Sequence, residues 1–176
     1  MKRLNILFSN LYVLFFLSVD AFGSQKTLCG FGEITIASCI LNEEKSRILS
    51  FCSSADKKIV FYRFGTKSKI DLSRKFSLVS PMSRWVDKWT FTTYLGFRVN
   101  EHAYVLGVPQ ERYGARAFLE VAKNDKAIME RSCIENSFGQ KKLDSEAIRD
   151  VEDSVVRDNK FLFPPIDGTN STSQEP

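Results

Sequence analysis

The chain has 176 residues, of which 43% are hydrophobic and 12% aromatic, including 15 phenylalanines. That is enough apolar surface to offset chain entropy in one domain, and it excludes a disordered or low-complexity polymer. A formal charge of +4 and a pI near 8.9 give a mild attraction to anionic partners, a balance shared by ordinary soluble proteins.

The first element is a leader. Met1, Lys2 and Arg3 form a positive n-region, residues 11–19 are densely apolar, and Ala21-Phe22-Gly23 places small residues where a signal peptidase inspects the chain. Residues 1–23 are therefore expected to be a cleavable signal peptide. Asn5, Ser9, Asn10 and Asp20 leave no apolar run near the roughly 20 residues a membrane anchor needs. Cys29 follows Lys26-Thr27-Leu28, not the small residues that precede a lipidated cysteine. Residues 24–166 are then expected to be one β-rich domain, and the polar residues 167–176 a disordered tail.

Short β-type runs at 34–41, 47–53 and 58–64, separated by polar breaks, predict three neighbouring strands. Residues 65–88 are read as a long connection, with Lys69-Ile70-Asp71-Leu72 its one strand-like piece and Ser80-Pro81-Met82-Ser83 interrupting any ladder. Two hairpins follow, 89–99 with 103–108 around Asn100-Glu101, and 115–123 with 126–133 around Asn124-Asp125. The second has the better turn, since Asn and Asp tolerate positive φ. Past Cys133, Ile148, Val151 and Val155 fall at helical spacing, with Asp144 or Ser145 placed to cap. Phe161-Leu162-Phe163 before Pro164-Pro165 is expected to dock back on the domain or on a partner. The expected fold is mainly β, an antiparallel meander forming a small barrel or sandwich, with one short C-terminal helix.

Cys29, Cys39, Cys52 and Cys133 remain after cleavage, and an even count in an exported chain favours two disulfides, with three pairings open. A zinc site would show close Cys-x-x-Cys pairs, absent here, and His102 is the only histidine. No metal or cofactor is expected.

Nucleophilic hydrolysis needs a base near the nucleophile, and His102 sits beside a predicted turn, where a solvated side chain is the simpler reading. Glu43 with Glu44, and Asp150 with Glu152 and Asp153, are the densest carboxylates, but they fall in a turn and on a polar helix face. Cys29-Gly30-Phe31-Gly32 lacks the third glycine and the following helix of a phosphate loop. Asn170-Ser171-Thr172 fits an N-glycosylation triplet in the tail. These readings predict a non-catalytic protein.

Residues 57–88 are the most basic stretch, and they interleave arginine and lysine with aromatic side chains. Arg and aromatic residues bury large area at low entropy cost in protein interfaces, so Tyr62, Arg63, Arg84, Trp85 and Trp89 are the candidate contacts. The same mixture can bind single-stranded nucleic acid, which export argues against.

Cys39, Cys52, Tyr62-Arg63-Phe64-Gly65 and Lys69-Ile70-Asp71-Leu72, with the two later hairpins ending in Cys133, resemble a loose group of small exported bacterial proteins of unassigned activity. Gly114-Ala115-Arg116-Ala117-Phe118 is similar to the Ser-Gly-x-x-Tyr segment of periplasmic inhibitors of c-type lysozyme, with Tyr113 at the place of the serine and Phe118 near that of the tyrosine. The second resemblance implies a disulfide-tied β domain that occludes an enzyme cleft. The expectation is an exported, non-catalytic protein-binding protein of a bacterial envelope, of immunity or inhibitor type, with a toxin or wall-degrading enzyme as partner. The alternative is a glycan or envelope-ligand binding module, in which exposed aromatic rings stack on sugars; it gains if Trp85 and Trp89 are exposed neighbours.

Overall fold

A computed structural model describes residues 26–166. The expected leader, the polar tail and the triplet at Asn170 lie outside the described residues. The short β-type runs of the first third become β1 (Ile34–Ile40), β2 (Ile48–Ser53) and β3 (Val60–Gly65), which pair antiparallel in sequence order. β4 (Ile70–Phe76) completes a four-stranded sheet. The second sheet holds β5 (Met82–Val86), β6 (Thr93–Val99), β7 (His102–Val108), β8 (Phe118–Lys123), β9 (Lys126–Ser132) and β10 (Ile148–Val151) in the order β10-β5-β6-β7-β8-β9. Only β10 runs parallel to its neighbour.

Strand side chains alternate between faces, and here the apolar set of each sheet turns inward. Leu49, Phe51, Val60, Tyr62 and Phe76 of the first sheet share one core with Leu95, Phe97, Leu106, Val108, Leu119 and Val121 of the second. Phe97 joins the layers, with its ring centroid 4.8 Å from Tyr62, 5.1 Å from Phe76 and 6.5 Å from Phe51. The mainly β fold is thus a sandwich whose sheets do not close into a barrel. Along one side they are stitched together: residues 133–140 leave β9 and run beside β1 through the bridges Leu41 to Cys133 and Ser38 to Phe138. The disulfide Cys39–Cys133 lies at that seam.

Each outer face carries a terminal segment. Residues 26–33 cross the first sheet: the Ser38 hydroxyl donates to the Lys26 carbonyl (3.0 Å), the Leu28 amide donates to Ser50 Oγ (2.9 Å), and Cys29–Cys52 ties the segment to β2. This cover explains why β2 is buried at every position. All four described cysteines are paired, and such bonds persist in oxidising surroundings. On the second sheet, helix α1 (Asp153–Asp158) and the chain after it cover Trp85 and Val105 with Val156 and Phe163, so the expected docking of the Phe161 segment onto the domain is observed. Gly96 permits this, because a Cβ there would lie 2.8 Å from Pro164 Cγ and 2.9 Å from the Tyr104 carbonyl.

Two expectations are corrected. Residues 65–88 are not a long connection: they contain β4 and β5, joined by a tight turn in which Ser77 pairs with Ser80. β4 is an edge strand exposed along most of its length, so it carries Asp71, Ser73, Arg74 and Lys75 where a half-buried strand would alternate. Pro81 stops short of β5 and costs the ladder no donor. Nor do Ile148, Val151 and Val155 share a helix. The first two lie on β10 against Met82 and Trp85, and the helix starts at Asp153 after an extended Glu152. Their spacing is helical, and in the strand Ile148 and Val151 face opposite sides, the first towards the central core and the second towards Trp85 and Val156; pairing with the distant β5 overrides the local period. Ser145 is no cap; its hydroxyl donates to the Lys57 carbonyl (2.6 Å).

Arg63 fastens the N-terminal segment, donating to the Leu28 carbonyl (3.2 Å) and to both Glu33 oxygens. Its hydrogen bonds hold the Glu33 carboxyl below the ordinary value of 4.5, against the opposing effect of burial and with help from the Gly30 amide. A depressed folded value means stabilisation that is complete above 4.5 and lost as pH falls through the folded value. Glu33→Gln is expected to lower stability by about 1–2 kcal/mol at neutral pH, with the gap from wild type closing in acid. Urea titrations across that range check it, and a pH-independent gap would refute the ion pair.

Candidate binding surface

The β5–β6 turn, residues 87–92, is organised by Asp87. Its carboxylate accepts from the Trp89 amide (2.9 Å) and the Thr90 hydroxyl (2.8 Å), and its carbonyl accepts from the Phe91 amide (2.8 Å). An aspartate satisfying nearby donors is the usual device of such a turn. The result holds Trp89 79% exposed and Phe91 more than half exposed. Phe91 has φ 55°, in the left-handed region, which costs a bulky residue on the order of 1–3 kcal/mol.

Arg157 of α1 supports this turn. Its guanidinium lies 4.5 Å from the Trp89 ring centroid and 5.3 Å from that of Phe161, and it donates to Asp153 (2.9 Å) and to Asp87. Phe161 follows the helix at φ 64° and is also more than half exposed. Below them Trp85 stacks on Tyr94 at 4.5 Å and donates its indole N–H to Asp153 (2.9 Å). Burial disfavours the charged form of Asp153, but the Arg157 and Trp85 donors outweigh it and hold its carboxyl below the usual range.

The β7–β8 loop lies alongside. Tyr113 is fully exposed, next to Gly114 at φ 79°. Turn and loop enclose an open cleft of about 420 Å³ lined by Thr90, Thr92, Pro109, Arg112 and Tyr113, among others. Trp89, Phe91 and Tyr113 thus project from neighbouring loops at one end of the six-stranded sheet, with Phe161 beside Trp89 across Arg157. A larger cleft of about 780 Å³ lies elsewhere, between residues 136–140 and Glu33, whose carboxylate Arg63 already holds.

Of the five expected contacts, only Trp89 is openly exposed. Tyr62 is 1% exposed in the central core and Trp85 5% exposed beneath the helix, so both are corrected from contact residues to core residues. Alternation along β3 sends Tyr62 inward and Arg63 outward, to the N-terminal segment. Arg84 is engaged by Asp150 (2.6 and 2.7 Å) and by the carbonyls of Leu143 (2.7 Å) and Lys141 (3.3 Å). Phe91, Tyr113, Phe161 and Arg157 are not among the five expected contacts, although Tyr113 and Phe161 fall in segments singled out for other reasons. The signal for Phe91 and Tyr113 is an aromatic residue in a turn or loop, where fold stability asks for Gly, Asn or Asp. Three of the five carboxylates weighed for acid–base chemistry are engaged by arginines: Glu43 by Arg47, Asp150 by Arg84, Asp153 by Arg157. The grouping of Cys29, Glu33 and Cys52 offers no thiolate, since its sulfurs are bonded to each other.

Fold and surface define a two-disulfide β-sandwich, strapped across both outer faces and ending in a loop surface of exposed aromatic rings. No protein-family model, curated protein or solved structure matches the chain.

Proposed function

We propose that the protein is a non-catalytic, exported binding protein of a bacterial envelope, of immunity or inhibitor type, which occludes a toxin or wall-degrading enzyme with its Trp89 surface. The observation that carries this reading is the set Trp89, Phe91, Phe161 and Tyr113: large rings left in solvent, two of them on left-handed backbone. Such placement spends stability without burial in return, and it is accounted for when a partner desolvates the rings. The leader-like first residues and the two disulfides support export. The likeness to lysozyme inhibitors falls on the β7–β8 loop; there the Phe118 ring lies over Gly107, whose added Cβ would come within 2.2 Å of Phe118 Cζ, and Tyr113 is the residue that protrudes.

The test is an affinity capture from envelope and culture fractions with the oxidised mature protein immobilised, followed by titration of the captured protein. Trp89→Ala and Tyr113→Ala are each expected to weaken binding by roughly tenfold or more, with unchanged unfolding midpoints because neither ring is packed in the core. Unchanged affinity in both variants, or no specific protein captured, would overturn the proposal. The glycan alternative loses the support of a Trp85–Trp89 pair, since Trp85 is buried, and rests on Trp89 and the other exposed rings.

A further inference from the structure

The opposite end of the sandwich carries a second set of exposed apolar residues that the partner surface does not use. Register aligns Ile34, Ser53, Val60 and Phe76 in one row across the first sheet, so the turns beyond them share one end. Phe31 sits at the tip of the turn closed by the Glu33 amide on the Gly30 carbonyl (3.2 Å), and its side chain is fully exposed. Leu78 and Val79 are the two central residues of the turn between Ser77 and Ser80, 68% and 93% exposed. Tight turns of this length draw on Gly, Asn, Asp and Ser for conformational reasons, and a Leu-Val pair at the apex contributes nothing to the fold. With neighbouring strands about 4.8 Å apart, the two tips stand roughly 15 Å from each other.

Basic residues lie between and beside the tips. Lys57 and Lys58 occupy the β2–β3 turn, and Lys75 precedes the last residue of β4; all three are exposed. The Ser145 hydroxyl on the Lys57 carbonyl (2.6 Å) brings the loop with Lys142 to the same end. Asp56, Asp144 and Glu146 are the acids there, with Glu33 beside Phe31 neutralised by Arg63, so the surplus is positive but modest.

We infer that this end is a peripheral docking surface for an anionic lipid bilayer. Separate apolar tips suit lipid, which flows around each point; a protein partner needs a continuous, closely packed patch. Phe31, Leu78 and Val79 enter the interfacial layer while the lysines meet phosphate headgroups, the pairing of shallow apolar insertion and basic charge that holds proteins on membranes. β5 runs from the Ser77–Ser80 turn towards Trp89, so a protein seated this way holds its partner surface away from the lipid.

The experiment is flotation of the oxidised protein with vesicles of phosphatidylglycerol mixed with phosphatidylcholine, and with vesicles of phosphatidylcholine alone. Binding to the anionic vesicles is expected, weakening as salt rises. Replacing Leu78 and Val79 together by serine, or Phe31 by serine, should lower the bound fraction several-fold, and Lys58→Glu with Lys75→Glu by roughly tenfold or more, while Trp89→Ala leaves it unchanged. Failure of wild type to float with anionic vesicles overturns the inference, as does wild-type flotation by all of these tip and lysine variants. Self-association of the protein that the tip substitutions abolish, without vesicle binding, also overturns it by assigning the end to a second copy of the chain. Partner capture through Trp89 is scored separately, so each surface can fail alone.

Discussion

Replacing Cys39 and Cys133 together by alanine is expected to cost about 4–5 kcal/mol, the largest loss available from a single covalent bond in this protein. The disulfide closes a loop with a sequence separation of 94, against 23 for Cys29–Cys52. In the chain-entropy picture, the longer loop restricts the unfolded chain more, and the shorter bond is expected to contribute about 3 kcal/mol. The longer bond also holds the seam between the sheets. Around it the Asn42 amide donates to the Ser132 carbonyl and the Ile134 amide to the Ile40 carbonyl, each at 2.9 Å. A domain typically has only about 5–15 kcal/mol in hand, so losing this bond takes away a large fraction. Guanidinium unfolding of the two double variants checks the order. A smaller loss for Cys39 and Cys133 than for Cys29 and Cys52 would refute the account.

Trp85→Ala is expected to cost about 3–5 kcal/mol, the range for deleting a large buried aromatic side chain. The ring stacks on Tyr94, lies 5.8 Å from Phe163 and keeps the C-terminal segment on the second sheet, so its loss opens a cavity between strand and helix. Trp85→Phe retains part of that packing and drops only the indole donor to Asp153, which keeps Arg157; a smaller loss follows. The contrast with Trp89 is diagnostic. Trp85→Ala should lower the unfolding midpoint and reduce binding only as folded protein is lost, whereas Trp89→Ala should leave the midpoint alone. An unchanged midpoint for Trp85→Ala would place its ring outside the core.

Much of the fold was legible where one physical signal acted alone. Residues 34–41 and 58–64 are short runs rich in β-branched and aromatic residues between polar breaks, and Asn124-Asp125 supplies the positive φ of a hairpin turn, at 48° and 61°. Legibility failed where local pattern was silent. β4 hid behind the charges that protect a sheet edge, and β10 had only Ile148 and Val151 to show before the helix began. The candidate contacts failed for a related reason: composition ranks Tyr62, Trp85 and Trp89 alike, although two are core and one is surface.

The amino-acid order alone determined an even set of cysteines behind a leader-like segment, a predominance of strands, and enough apolar surface for one folded domain. Those properties are local or additive, so they survive without knowledge of neighbours in space. Tertiary structure decided the pairing of Cys29 with Cys52 and Cys39 with Cys133, the parallel β10, the straps over both sheets, and which rings meet water. Each of these depends on contacts between residues far apart in the chain, whose free energy exists only once both sheets are stacked.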